Sequence, residues 1–388
     1  MARTGGPRGA LGLAAGGLLA MAAAVGVGRF LYTPILPRMA EALGLSQTAT
    51  GAIASANFLG YLAGAIAASA ALPGSRRFWL LAGLAASAAT SAAMGGVDSV
   101  AAFAALRFAG GAASAFALVY SSALVLDRLA GMGRGALGAL HFAGVGAGIA
   151  ASALLVSAIV ARGGDWRALW IAGGAASFAC LAAVAVLIPD APEPPRSAAA
   201  GGAWSPALRA MAAAYALFGF GYVITATFLV AIVRASPGLG AVEPAVWLLV
   251  GLAAAPSTAL WSALARRLGN ARAFALAAAI EAGGVAASVL WTSPAGVVVA
   301  AVLLGGTFMG LTSLGLMEGR RLAQGDPRRV LGVMTAVFGV GQIVGPAFAG
   351  AVRDRTGSFL LPSVVAAAAL LAAAALALRA GVDFRRNA

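Results

Sequence analysis

Lysine is absent from this 388-residue sequence, cysteine occurs once (Cys180) and histidine once (His141). A single cysteine rules out a disulfide within the chain, and one histidine beside one cysteine cannot build a typical metal centre. Charged residues amount to 10% of the chain, too few to cover a water-soluble globule. Signatures of catalysis are missing too. The sequence holds no G-x-x-x-x-G-K-[ST] cradle for phosphates, no H-E-x-x-H pair for zinc and no G-x-S-x-G elbow. Neither an enzyme nor an ATP-driven machine is expected, and no metal or cofactor.

What fills the chain is apolar. Hydrophobic residues make up 61% and the mean hydropathy is +0.94. The sequence divides into twelve apolar runs long enough to cross a bilayer, which takes about 20 residues as a helix. Barrel strands would alternate polar and apolar residues, and these runs do not. The expected fold is an all-α membrane protein of twelve transmembrane helices, embedded in the lipid bilayer.

In a soluble protein a net charge of +14 would suggest nucleic acid. Here the positions of the arginines decide otherwise. With the N-terminus placed inside, most of them fall at the inner ends of helices, including the doublets Arg76-Arg77, Arg266-Arg267, Arg320-Arg321 and Arg385-Arg386. That is the positive-inside distribution. It puts both termini in the cytoplasm, in a bacterial inner membrane, and leaves no role for nucleic acid. Arg3 and Arg8 ahead of an apolar run resemble the start of a signal peptide, but the match of this run to a later helix favours a retained first helix.

That match is part of a repeat. Gly26 and Gly28 recur as Gly219 and Gly221 after 193 residues, which pairs Arg29 with Tyr222; Gly144 and Gly146 recur as Gly339 and Gly341 after 195. Helices 4 and 10 share their glycines at the same offset, with Val302 where Arg107 would be. Such ordered landmarks point to a six-plus-six duplication about an axis along the membrane normal. The halves are 1–188 and 207–388, joined by a Pro- and Ala-rich cytoplasmic linker at 189–206.

The polar residues inside helices are the site candidates. Arg29 and Tyr32 sit a few residues inside helix 1, before Pro34 and Pro37 turn the chain. An arginine in the membrane costs a few kcal/mol unless it faces a partner or a wet cavity. Asn57 and Tyr61 share one face of helix 2, Arg107 and Ser114 lie on helix 4, and His141 on helix 5. Arg29, Arg107 and His141 make this half electropositive and favour an anionic group, which a guanidinium takes with a bidentate fork. Alternatively, the arginines bond carbonyls opened by nearby glycines and prolines. The second half offers Tyr215, Tyr222, Thr225, Trp247 and Gln342, which suit a substrate with an acidic end and an apolar or aromatic body. For proton coupling the candidates are His141, which titrates near neutral pH, and Glu281, the most deeply placed acid; packing roles are the alternatives.

In helix 1, G-V-G-R-F-L-Y-T-P-I-L-P, and in helix 7, G-F-G-Y-V-I-T-A-T-F-L, the chain resembles the major facilitator superfamily, and within it the YbfB/YjiJ-type branch. Arg107 with Gly110 and Gly111 is similar to the superfamily's helix 4 arginine motif, and H-F-A-G-V-G-A-G to its helix 5 motif. The resemblance spans essentially the whole chain. It implies a central cavity lined by helices 1, 4, 7 and 10, and transport by alternating access. One motif departs: the inner loop at Pro73 to Arg77 keeps its arginines but lacks the usual Asp, and Arg266 stands where the second half usually has an acid. Asp127 and Glu318 are the expected substitutes, Asp127 pairing with Arg76 or Arg77 and Glu318 with Arg266 or Arg267 to latch the cytoplasmic gate in the outward-open state; plain solvation of these loops is the alternative.

The expected function is secondary active transport of a small organic solute, an anion for preference, with the proton as coupling ion and a functional monomer as the unit. Its rivals are an efflux pump for apolar drugs, indifferent to Arg29, and a transport-inactive membrane sensor or scaffold.

Overall fold

The computed structural model describes residues 7–70, 72–190, 204–324 and 327–387. Twelve spans among them are long and apolar enough to cross a bilayer. The first is composite: α1 (Pro7–Met21), a wide π-helical stretch Ala22–Val27, a turn at 28–31 and α2 (Tyr32–Leu43). Single helices make the next five: α3 (Gln47–Ser69), α4 (Arg76–Ala93), α5 (Val100–Gly131), α6 (Gly138–Val160) and α7 (Trp166–Leu187). The last six are α8 (Pro206–Ala235), α9 (Glu243–Leu268), α10 (Asn270–Leu290), α11 (Pro294–Arg321), α12 (Pro327–Thr356) and α13 (Leu360–Asn387). No strand occurs among the described residues.

Short polar residues punctuate the apolar runs and set where helices begin. The side chains of Ser46, Ser75, Ser99, Asp165, Ser205 and Ser293 each accept the backbone N–H three residues on, which satisfies a donor that a helix start leaves free. Because the helices run back and forth, the start of α1 and the end of α13 share one face, here the termini face. The α2–α3 turn lies on the opposite, far face.

The spans before residue 190 pack on one another, as do those after residue 206; the two groups meet through α2 with α8, α3 with α12 and α6 with α9. In lipid there is no hydrophobic drive between helices, so close van der Waals approach holds them. Glycine permits it: a methyl on Gly26 would fall 2.5 Å from the Gly148 Cα, and one on Gly251 would fall 2.4 Å from the Ala150 nitrogen.

Helix 1 departs from expectation. Pro34 and Pro37 do not turn the chain; α2 continues through both to Leu43, and the reversal comes at Gly44 in a left-handed conformation (φ 62°). The break at 28–31 lies upstream, so Pro34 falls in the first turn of α2, where a missing N–H removes no helical bond. Arg29 therefore stands mid-way along a span that runs Gly9–Leu43, deeper than a few residues inside. Most of the expected linker 189–206 lies outside the described residues.

Candidate functional site

The site grows out of the break in the first span. Where the π-helical stretch gives way to a turn, the carbonyls of Gly28 and Arg29 lack regular helical partners, and a membrane interior offers no water to replace them. Arg107 supplies the donors. From α5 its Nη1 donates to the Gly28 carbonyl and its Nη2 to the Arg29 carbonyl, each at 2.9 Å. The guanidinium lies 5.1 Å from the centre of the Tyr32 ring, and Asn57 donates from α3 to the Arg107 carbonyl at 2.9 Å. Both Nη groups of Arg107 are thus engaged by backbone, as in the alternative read from the glycines, and its Nε is buried without a partner.

Arg29 points elsewhere. Its guanidinium stacks 4.0 Å above the Tyr61 ring and 5.2 Å from Phe58, while the residue is only 7% exposed. Nε and Nη2 have no hydrogen-bond partner, and no acid pairs with the residue among the described ones. A cation at this depth is stabilised by the ring faces and still has N–H donors to give.

Facing it from the second group of spans is an aromatic cluster. Tyr222 lies between Phe308 and Phe338, each with its ring centre 5.8 Å away and nearly parallel. Tyr215 stacks on Phe338 at 4.8 Å, and Phe30, next to Arg29, reaches across to Phe308 at 5.9 Å and Trp247 at 6.2 Å. Gln342 donates from α12 to the Tyr222 hydroxyl at 2.5 Å. That hydroxyl stands in the electrostatic field of Arg29, Tyr61 and Glu281. Gln342 Oε1, Thr225 Oγ1 and Trp247 Nε1 are buried without partners.

The remaining candidates are placed apart. Tyr32 donates to the Thr50 carbonyl at 2.8 Å, Ser114 to the Gly111 carbonyl at 2.9 Å and Tyr215 to the Thr312 carbonyl at 3.0 Å. His141 sits between α1, α5 and α6, its Nε2 3.1 Å from the Ser122 hydroxyl and its Nδ1 over Gly17, away from Arg29. Glu281 is fully buried on α10, with neither carboxyl oxygen bonded. Nothing in the sequence singled out Phe58, Phe308 or Phe338, since one buried phenylalanine reads like another. Among the described residues no cluster of three metal-ligating side chains occurs.

The bonds that join the two groups of spans, among the described residues, lie between mid-membrane and the far face. Thr33 donates to the Ala226 carbonyl at 2.8 Å and Ser55 to the Ile343 carbonyl at 2.6 Å. Asp354 accepts the backbone N–H groups of Gln47 and Thr48 at 3.0 and 2.7 Å. Arg234 pairs with Glu41 at 2.5 Å, and Arg38 lies 3.9 Å from Glu243. Thr33 and Ala226, like Glu41 and Arg234, are 193 residues apart, the spacing of the glycine repeat.

The expected latch on the termini face is not made in this conformation. Arg77 donates instead to the Ala185 and Ile188 carbonyls, at 2.5 and 2.9 Å, because the C-terminal end of α7, with its free carbonyls, lies against it. Asp127 is exposed and pairs with neither Arg76 nor Arg77. Glu318 binds Arg321, one turn away on the same helix, at 2.5 and 2.8 Å, rather than Arg266 or Arg267.

The fold is similar to two solved transporters. A mutant of the nucleoside transporter NupG matches with a TM-score of 0.69 and 14% identity, over 97% of this chain and 99% of that one. A D-xylose-proton symporter matches with a TM-score of 0.73 and 14% identity, over 95% and 96%. No curated protein matches the sequence. The family pattern described as "Uncharacterised MFS-type transporter YbfB" covers residues 21–378, and the chain belongs to that family of the major facilitator superfamily.

Proposed function

We propose that this transporter carries a small organic anion with an aromatic or apolar body, by alternating access between two six-span halves and driven by protons. The observation that carries the reading is Arg29: a mid-membrane guanidinium with no counter-ion and two unspent N–H positions, opposite an aromatic cluster. A carboxylate would supply the missing acceptor, and the faces of Phe30, Trp247 and Phe308 would take its apolar body. Arg29 and Tyr222 are repeat-equivalent and lie one helical turn from Thr33 and Ala226, which touch. Contacts between equivalent positions are what an axis between the halves requires, and span 2 with span 11 mirrors span 8 with span 5.

Proton drive is supported by the absence of any nucleotide-binding element, by the solved relative named a proton symporter, and by Glu281. The arginine doublets at the termini face support placing that face in the cytoplasm. The bonds that close the far face support reading this conformation as inward-facing.

A thermal-stabilisation screen of the purified protein tests the reading, using arylcarboxylates against their uncharged amides. Carboxylates should stabilise the wild type and amides should not; equal effects would favour the apolar-drug pump. Rocking is tested by cysteines at positions 33 and 226 with Cys180 replaced by serine. Oxidation should cross-link them and block transport, with reductant restoring it. Transport that continues across the intact cross-link would contradict alternating access. A third expectation concerns the far face: Asp354→Asn should open it, raising thiol labelling of a cysteine placed at Ser55 several-fold.

A further inference from the structure

The far face holds a cavity that a site at Arg29 leaves unused. It has a volume of about 280 Å³ and lies on the seam between the two groups of spans. Leu36, Glu41 and Gln47 line it from the first group, and Arg234, Arg353 and Phe359 from the second. Its charges are divided unevenly. Both cations come from the second group, near the ends of α8 and α12, while the acid comes from α2 of the first.

The two cations differ in what they already hold. Arg234 is engaged, with Glu41 across the seam at 2.5 Å and Glu243 at 3.3 Å. Arg353 is not. Its guanidinium lies 5.5 Å from the centre of the Phe359 ring, which packs on Phe228, and among the described residues no acid or carbonyl pairs with it. The adjacent Asp354 serves another purpose, accepting the N–H groups of Gln47 and Thr48 at the start of α3. A half-buried cation over an aromatic face, with N–H donors unspent and an open cavity beside it, is chemistry that takes a carboxylate.

We propose that this cavity is a second anion site, which binds a small organic carboxylate between Arg353 and Arg234, and that the bound carboxylate displaces Glu41 and loosens the seal between the halves. The displacement follows from the division of charge. A carboxylate seated there stands beside Glu41, and the two repel each other over Arg234. The ligand has two cations to bind and Glu41 has one. The Glu41 side chain is also 69% exposed, and an ion pair so exposed shifts an equilibrium by no more than about fivefold, so ligand at saturation can replace it. The site goes beyond the anion reading of Arg29 and does not depend on it; it does rest on the far face being closed in this conformation.

Benzoate and benzamide are the probes, used on purified protein carrying Arg29→Ala, which removes the mid-membrane cation, and Cys180→Ser. By titration calorimetry benzoate should still bind, more weakly than to the wild type, and benzamide should not. Arg353→Gln should weaken benzoate by about tenfold, the effect of one hydrogen bond to a charged group, with the thermal midpoint unchanged; Arg353→Lys, which keeps the charge, should retain most of the binding. The seal is read with a cysteine in place of Ser55, whose hydroxyl bonds the Ile343 carbonyl across the seam. Benzoate should raise its thiol labelling by up to about fivefold, and Glu41→Gln should raise it with no ligand present. No benzoate binding in the Arg29→Ala protein, equal binding of benzamide, or binding that Arg353→Gln leaves unchanged would remove the site, and none of these results counts against Arg29. Binding that leaves the labelling unchanged would break its link to the seal.

Discussion

Arg29→Ala is expected to weaken binding of carboxylate ligands by roughly 10- to 150-fold while leaving the protein folded. The magnitude follows from a hydrogen bond to a charged group, which contributes about 1.5–3 kcal/mol. Folding should suffer little, because Nε and Nη2 make no hydrogen bond that the substitution could break. What is lost is the stacking on Tyr61, about 0.5–2 kcal/mol. Arg29→Lys should recover part of the affinity, since an ammonium keeps the charge but not the planar fork. Titration calorimetry on wild type and both variants, with an arylcarboxylate and its amide, decides the matter. A carboxylate that binds the alanine variant as tightly as the wild type would remove the cationic site and favour a pump for apolar compounds.

Arg107→Ala should have the opposite profile, a large loss of stability with no direct contact to ligand. Its guanidinium closes the carbonyls of Gly28 and Arg29 in a stretch that cannot reach water. Leaving each unsatisfied costs about 1–3 kcal/mol, against a total stability of order 5–15 kcal/mol for a typical protein. Arg107→Lys should rescue poorly, because one ammonium on a flexible stem lacks the fork that spans two adjacent carbonyls. Thermal unfolding in detergent, followed by labelling of the half-buried Cys180 thiol, should show both variants melting well below the wild type. An alanine variant that melts with the wild type would mean the break in the first span is held by something else. The contrast is the useful part: two arginines on neighbouring spans, one expected to move affinity and the other stability.

From the sequence alone each of the two arginines was open to a transport or a structural role, and what separates them in the structure is local backbone geometry. Arg107 is committed because the first span widens into a π-helix at Ala22–Val27 and then breaks, and no pattern of apolar residues announces such a break. His141 was by type a candidate for either proton carriage or packing, and its ring packs over Gly17 beside Ser122. The latch, expected for the outward-open state, is not engaged in this conformation, in which Arg77 donates to carbonyls on α7 and Glu318 binds Arg321 on its own helix. Tyr222 was singled out by the glycine repeat that pairs it with Arg29, and one turn on from each the equivalent residues Thr33 and Ala226 touch.

Composition and periodicity alone determined that this chain is a bundle of twelve membrane-crossing helices, since apolar runs of that length have no other way to satisfy their backbone. They also determined that an arginine inside the first span needed explaining. Tertiary structure alone decided which polar groups are spent and which are free. Hydrogen-bond satisfaction inside a membrane depends on what packs against each side chain, and that is set by helices brought together from distant parts of the chain.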